Sequence, residues 1–270
     1  MNWVDIGVNF TDRRLDFDPV FTRALNANVV QMIITGTSVS SSQQARDITA
    51  LHPTHLFSTA GVHPHHAKDF NGQSKNELTA ISNSQQVVAI GECGLDFNRN
   101  FSTPNEQLFA FEQQLKLACE LGLPVFLHER DAFEAQIELL TKYCKELKGG
   151  VVHCFTGNIE QMNRYLDLGL YIGITGWVCD LKRGQSLRDA VKSLPLNRIL
   201  LETDAPYLRP KGLANNRKLD SGNNEPAYLP YIADEVANIM ATDITTLKVA
   251  SAANTQALFN IPSKSAEHAQ

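Results

Sequence analysis

Eight short apolar runs recur along the chain, and most of them stop at a glycine, a histidine or an acid: WVDIGV, NVVQMIITGT, HLFSTAGVHPH, QVVAIGECGLD, LPVFLHERD, GGVVHCFTG, LYIGITGW and RILLETDAP. Runs this dense in Val, Ile and Leu read as strands covered on both faces, as strands of a parallel sheet are. Amphipathic stretches lie between them. In TPNEQLFAFEQQLKLACELG, Thr103 is placed to cap a helix, Pro104 takes its first position, Glu106 completes a capping box and Gly122 ends it. RDAFEAQIELLTKYCKEL and the stretch from Asn158 to Gly169 repeat the pattern, and two more helical patterns, 227–240 and 244–258, follow a polar loop after Leu208. Strand and helix in eightfold alternation predict an α/β chain folded as a (β/α)8 TIM barrel of about 250 residues. A doubly wound sheet shares the alternation. Against it, no G-x-G-x-x-G or phosphate-loop motif occurs, and polar residues close many strands, not one crevice. Residues 1–262 read as one barrel domain and 263–270 as a frayed tail.

Composition narrows the function classes. The 270 residues are 43% hydrophobic and 20% charged, enough for a large core. Formal net charge is −5, so bulk electrostatics give no support for wrapping a long polyanion. A phosphate substrate has to be held locally, most simply through a metal ion. No apolar run approaches the roughly 20 residues of a bilayer span, and no basic-then-apolar leader opens the chain. Five cysteines, an odd number without C-x-x-C spacing, suit reduced thiols. Cys93 and Cys154 read as small buried hydrophobes. The expectation is a cytoplasmic monomer with no membrane contact.

In a parallel barrel the C-terminal strand ends share one face, where active sites lie. Here those ends offer Asp5 and Asn9; His63, His65 and His66; Glu92 and Asp96; His128, Glu129, Arg130 and Asp131; His153; and Glu202 and Asp204. A lone carboxylate emerging from a buried strand, as Glu92 does, costs several kcal/mol unless something pairs with it. Imidazole with carboxylate suits Zn, Mn, Fe or Ni, and carboxylate with water suits Mg. One histidine at such a rim is more often a hydrogen-bonded one. Glu92, His128, His153 and Asp204 together read as a metal site. The glycines around Glu92 are expected to let a bound oxygen approach the backbone. Trp177 and Tyr207 either stack a base or pack. Arg130 either steadies a phosphate or is buried in a salt bridge.

Several longer stretches carry a resemblance. STAGVHPH, AIGECGLDFNRNFSTP, PVFLHERDA, VVHCFTG, YIGITGWVCD, LLETDAPYLRP and NNEPAYLP, in this order, resemble the TatD family of metal-dependent deoxyribonucleases, from Asp5 to about Phe259 and nearest its TatD branch. The resemblance implies an amidohydrolase-type barrel in which Glu92, His128, His153 and Asp204 bind metal. Asp204 also orients or deprotonates the attacking water, and His63, with Arg130, meets substrate phosphate. It implies a divalent cofactor, Mg2+ first, with Mn2+ and Zn2+ as alternatives. It further implies exonuclease action from the 3′ end of single-stranded DNA or RNA, in a setting of repair after oxidative damage. Two departures stand out. The family opens with D-x-H-x-H, and here the stretch is Asp5-Ile6-Gly7-Val8-Asn9, which leaves Asp5 and Asn9 as oxygen donors to a weak second ion. Asn223 stands where the family has arginine, with Arg217 near it in sequence. Two other functions stay open: another metal-dependent hydrolase on the same barrel, such as a D-aminoacyl-tRNA deacylase or an esterase or amidase, and a non-catalytic binding protein.

Overall fold

The computed structural model describes residues 2–213 and 222–264. Arg217 and the expected tail from 265 onward lie outside the described residues. Eight strands are present: β1 (Trp3–Val8), β2 (Val29–Ile34), β3 (Leu56–Ala60), β4 (Val87–Asp96), β5 (Val125–Arg130), β6 (Gly150–Val152), β7 (Tyr171–Ile174) and β8 (Ile199–Leu201). They form one sheet in chain order, and helices separate successive strands, the topology of a (β/α)8 barrel. Two compact units make it up. One holds the described residues up to Met32, Cys154–Met162 and those from Ile172; the other holds Ile33–His153 and Asn163–Tyr171.

The second unit is organised around β4, all ten residues of which are buried. Its register with β5 slips between Gly91 and Cys93, so Glu92 is the extra residue of a bulge. Bulges re-aim a side chain and recur beside active sites. Gly91 and Gly94 have φ of +137° and +139°. A Cβ on Gly91 would stand 2.1 Å from Phe126 O, and one on Gly94 2.0 Å from His128 O. The glycines therefore serve the close approach of β5, a reason the sequence did not suggest. Strand β3 also ends sooner than its apolar run. Pro64 lacks an N–H and has a fixed φ, and it opens a 3-10 turn, Pro64–Asp69, with His63 as its cap.

Helix α4 (Pro104–Leu121; α1 to α3 are Phe17–Asn26, Val39–Thr49 and Gly72–Ser82) starts and stops as its sequence predicts. The Thr103 N–H donates to the Glu106 carboxylate at 2.7 Å, and Gly122 is left-handed. Two glutamines on its buried face bond to strand-end backbone. Gln107 accepts from Asp96 N at 2.8 Å and donates to Asp96 O at 3.0 Å; Gln114 accepts from Val62 N at 2.7 Å. Gln136, on α5 (Phe133–Tyr143), accepts from Leu95 N at 3.1 Å.

In the first unit, β1 is fully buried and meets the chain just past β8: Val8 bridges Ala205 in parallel, and Asn9 N donates to Ala205 O at 2.8 Å. The C-terminal helices, α8 (Leu229–Ile239) and α9 (Ile244–Phe259), follow α6 (Ile159–Asp167) and α7 (Gln185–Val191). From α9, Asn254 donates to Leu196 O and Ile199 O at 2.8 and 2.9 Å and fixes the start of β8.

Candidate metal centre

The second unit gathers four histidines and two carboxylates. Glu92 Oε1 is 2.9 Å from His128 Nδ1, 2.9 Å from His153 Nε2 and 3.3 Å from His63 Nε2. Asp96 Oδ2 is bonded to His65 Nε2 at 2.8 Å and lies 3.5 Å from His128 Nε2. His128 thus stands between both carboxylates. The rings form a run of near contacts, His65 to His63 at 4.3 Å and His63 to His128 at 4.4 Å between centroids. His153 follows β6 directly and stacks on Phe126 at 4.7 Å.

Charge in this cluster is set by competition between burial and partners. Burial favours the neutral acid at Glu92, but His153 and the other ring nitrogens outweigh it and hold Glu92 well below the usual carboxylate range. Asp96 is likewise held low against burial, by His128, His65 and the Arg99 N–H. Burial opposes a charge on His128, yet the two carboxylates beside it, Asp96 and Glu92, win and raise its pKa. His63 goes the other way: burial drives it down to about 4, so its ring is neutral at pH 7. The tautomer follows from one bond. The His65 N–H donates to His63 Nδ1 at 3.1 Å, so the His63 proton resides on Nε2.

The residues present fit a divalent ion. Three ring nitrogens surround one carboxylate oxygen that offers two lone pairs, and His128 Nε2 is buried without a hydrogen bond. Among the described residues, donor atoms of His63, Glu92 and His128 lie within 4.8 Å of one another. Imidazole and carboxylate converging in a buried place is a donor set for a transition metal or Mg2+.

The comparisons give the chain its family. The model described as TatD related DNase matches residues 4–260. The chain belongs to the TatD family. It is a hydrolytic nuclease of the TatD type. Proteins called "3'-5' ssDNA/RNA exonuclease TatD" from Erwinia tasmaniensis and Salmonella typhimurium are each 48% identical over 259 residues. Both alignments cover 95% of this chain, with 99% and 98% of the relatives. Among solved structures, the TatD homologue YjjV of Escherichia coli superposes with a TM-score of 0.86 at 28% identity, covering 96% of this chain and 98% of that one.

The remaining TatD-like positions fall as follows. Arg130, at the end of β5, is exposed, and among the described residues it makes no ion pair; the buried salt bridge is not what forms. In the first unit, Asn9 Nδ2 donates to Asp204 Oδ1 at 3.0 Å and to Ala205 O at 3.1 Å. Asp204 has φ of +54°, a conformation that non-glycine residues hold only under constraint. Asp5, expected with Asn9 to offer oxygen to a weak second ion, is in the same unit. It is fully buried, and its carboxylate accepts from Thr203 N at 3.0 Å, Gly7 N at 3.2 Å and Thr203 Oγ1 at 2.5 Å. Two backbone N–H groups and one hydroxyl of the same unit are thus turned to its carboxylate. Tyr207 lies under the Arg14 guanidinium at 4.4 Å, Trp177 under that of Arg183 at 4.4 Å, and Asn223 donates to Arg14 O at 3.0 Å.

Asp96 and His65 are the members of the cluster to which the sequence reading gave no role. The available signal was a second carboxylate four residues past Glu92 on one strand. Gln107 and Gln114 were also legible as polar residues seven apart on the apolar face of a helix.

Proposed function

We propose that this chain hydrolyses phosphodiester bonds from the 3′ end of single-stranded DNA and RNA, with Mg2+ as the first-choice ion and Mn2+ next. The observation that carries it is the convergence of His128, His153 and His63 on Glu92, in a chain 48% identical over nearly its full length to proteins called 3'-5' ssDNA/RNA exonucleases. Glu92, His128 and His153 would hold the ion. When bound, it supplies charge to polarise the phosphate and to acidify water. His63 is assigned to the substrate and not to the ion. Its Nε2 carries the proton, and with Nδ1 accepting from His65 N it is a donor for a phosphate oxygen. Arg130, exposed and without an ion pair among the described residues, suits the same phosphate. On the family resemblance, Asp204 accepts the proton of the attacking water, a task worth roughly 10² to 10⁴ in rate. Asn9 orients it through the bond to Oδ1.

Among the described residues no helix is long and apolar enough to cross a membrane. A cytoplasmic monomer is proposed, as the sequence suggests.

The test uses one single-stranded oligonucleotide labelled at either end, with EDTA, Mg2+ or Mn2+. Metal-dependent release of labelled mononucleotide from the 3′-labelled strand before any from the 5′-labelled strand supports the reading. Intact strands beside hydrolysis of an aminoacyl-tRNA or a simple ester would overturn it.

A further inference from the structure

Phe101 is 55% exposed in the loop between β4 and α4. Its ring stands nearly perpendicular to that of His65, with centroids 4.7 Å apart and planes at 82°. His65 is bonded to Asp96, and the same Asp96 oxygen lies 3.5 Å from His128 Nε2. Only His65 and Asp96 separate this exposed ring from the proposed metal ligands. The loop itself is built on Asp96: Oδ1 accepts the N–H groups of Asn98 at 3.0 Å and Arg99 at 2.8 Å. Further along, Ser102 Oγ donates to His65 O at 3.2 Å, and Gln107 Nε2 donates to Ser102 O at 2.9 Å. Phe101 is therefore an apolar ring held out in water by the same hydrogen bonds that organise the cluster.

Its cationic neighbours point to the ligand. The Arg99 guanidinium carbon lies 5.5 Å from the Phe101 ring centroid. Phe97 N donates to Arg130 O at 2.9 Å, which places the end of β5 beside this loop. Arg99 and Arg130 are both exposed, and neither makes an ion pair among the described residues. An exposed aromatic ring beside guanidinium groups that make no ion pair is how proteins hold single-stranded nucleic acid: bases stack, phosphates pair. Phe109, also exposed, offers a contrast, since it sits on α4 and its ring neighbour is Phe70 at 6.3 Å.

We propose that Phe101 is the stacking platform for a nucleobase of the bound strand, with Arg99 and Arg130 on the adjoining phosphates. The proposal rests on the nuclease reading above and names the part of the substrate that the site recognises. Stacking tolerates any base, because every base has a π-face. The enzyme is then indifferent to sequence at that nucleotide but dependent on a base being there.

The test measures kcat and KM for wild type, Phe101→Ala, Phe101→Leu, Phe101→Trp and Phe109→Ala. Two single strands are compared, one normal and one with three abasic 3′-terminal nucleotides. Phe101→Ala and Phe101→Leu are expected to raise KM on the normal strand by about 5- to 150-fold, with kcat within about threefold, Phe101→Trp to restore it and Phe109→Ala to leave it alone. On the abasic strand wild type and Phe101→Ala should coincide. Leucine keeps the apolar cover over His65 and lacks the π-face, so equal behaviour of Phe101→Leu and wild type would overturn the platform. An equal loss on both strands would overturn it too, by making Phe101 a support for His65. Wild-type protein that cleaves neither strand would sink the nuclease reading and the platform with it; cleavage with Phe101→Ala unchanged sinks the platform alone.

Discussion

The His65 N–H donates to His63 Nδ1 across 3.1 Å, and this bond decides which nitrogen of His63 keeps its proton. With Nδ1 used as an acceptor, Nε2–H faces Glu92 Oε1 at 3.3 Å as a donor. A metal ligand there would need the opposite tautomer, with two N–H groups pointed at each other at Nδ1. His63→Ala should therefore leave the Mn2+ stoichiometry of the protein unchanged while lowering kcat/KM on single-stranded DNA. A hydrogen bond to a charged group is worth about 1.5–3 kcal/mol, which corresponds to a loss of roughly 10- to 150-fold. Elemental analysis after dialysis, beside steady-state kinetics, checks it. Loss of the bound ion in His63→Ala would return His63 to the ligands.

Glu92 is the common neighbour of His63, His128 and His153. Glu92→Gln keeps the shape and removes the charge that these rings surround. Wild type should gain thermal stability with Mn2+, by about 2.7 kcal/mol at a free concentration a hundred times Kd. Glu92→Gln should show none of that gain. Melting curves across a Mn2+ titration decide the matter, and an undiminished shift in the variant would place the ion elsewhere.

Asp204→Asn should lower single-turnover cleavage by about 10²-fold or more, since an amide cannot accept the proton. Strand binding should survive, because the Asn9 side chain can still donate to the remaining oxygen at position 204. Cleavage within tenfold of wild type would remove Asp204 from the role of base.

The alternation of apolar runs and helical patterns was legible because burial on both faces of a parallel strand leaves no other composition open to it. The start of α4 was legible because its cap is local: Thr103 and Glu106 are three residues apart. The candidate site was legible as a set of residue types at strand ends and not as a set of atoms. His65 reaches Asp96 across 31 residues of sequence, and nothing in GVHPHH says which ring meets which carboxylate. The glycines beside Glu92 were visible, but their reason was not. It lies in the backbone of β5, which comes so close that any Cβ would collide with Phe126 O or His128 O. Nor does the sequence show that Thr203 and Gly7 are turned toward Asp5.

That burial gives Asp5 a measurable signature. Removal from water pushes its pKa up to about 7, against bonds from the Thr203 side chain and backbone that pull the other way. An unfolded chain ionises the same group near 3.9. Below pH 4 both states hold the proton, and Asp5 imposes no electrostatic cost. Between pH 4 and pH 7 the unfolded chain releases it while the folded chain keeps it, so stability falls as pH rises; above pH 7 the full cost is present. A difference of about three pKa units corresponds to roughly 4 kcal/mol. In Asp5→Asn the amide oxygen can still accept from Thr203 N and Gly7 N, and the side chain does not titrate. Denaturant unfolding in EDTA, at intervals from pH 4 to 8.5, should show the stability of Asp5→Asn gaining steadily on wild type and then levelling off above pH 7. The starting offset depends on how well the amide suits Thr203 Oγ1, but the slope does not. A difference between the two proteins that stays flat across this range would show that Asp5 is ionised in the fold at every pH tested.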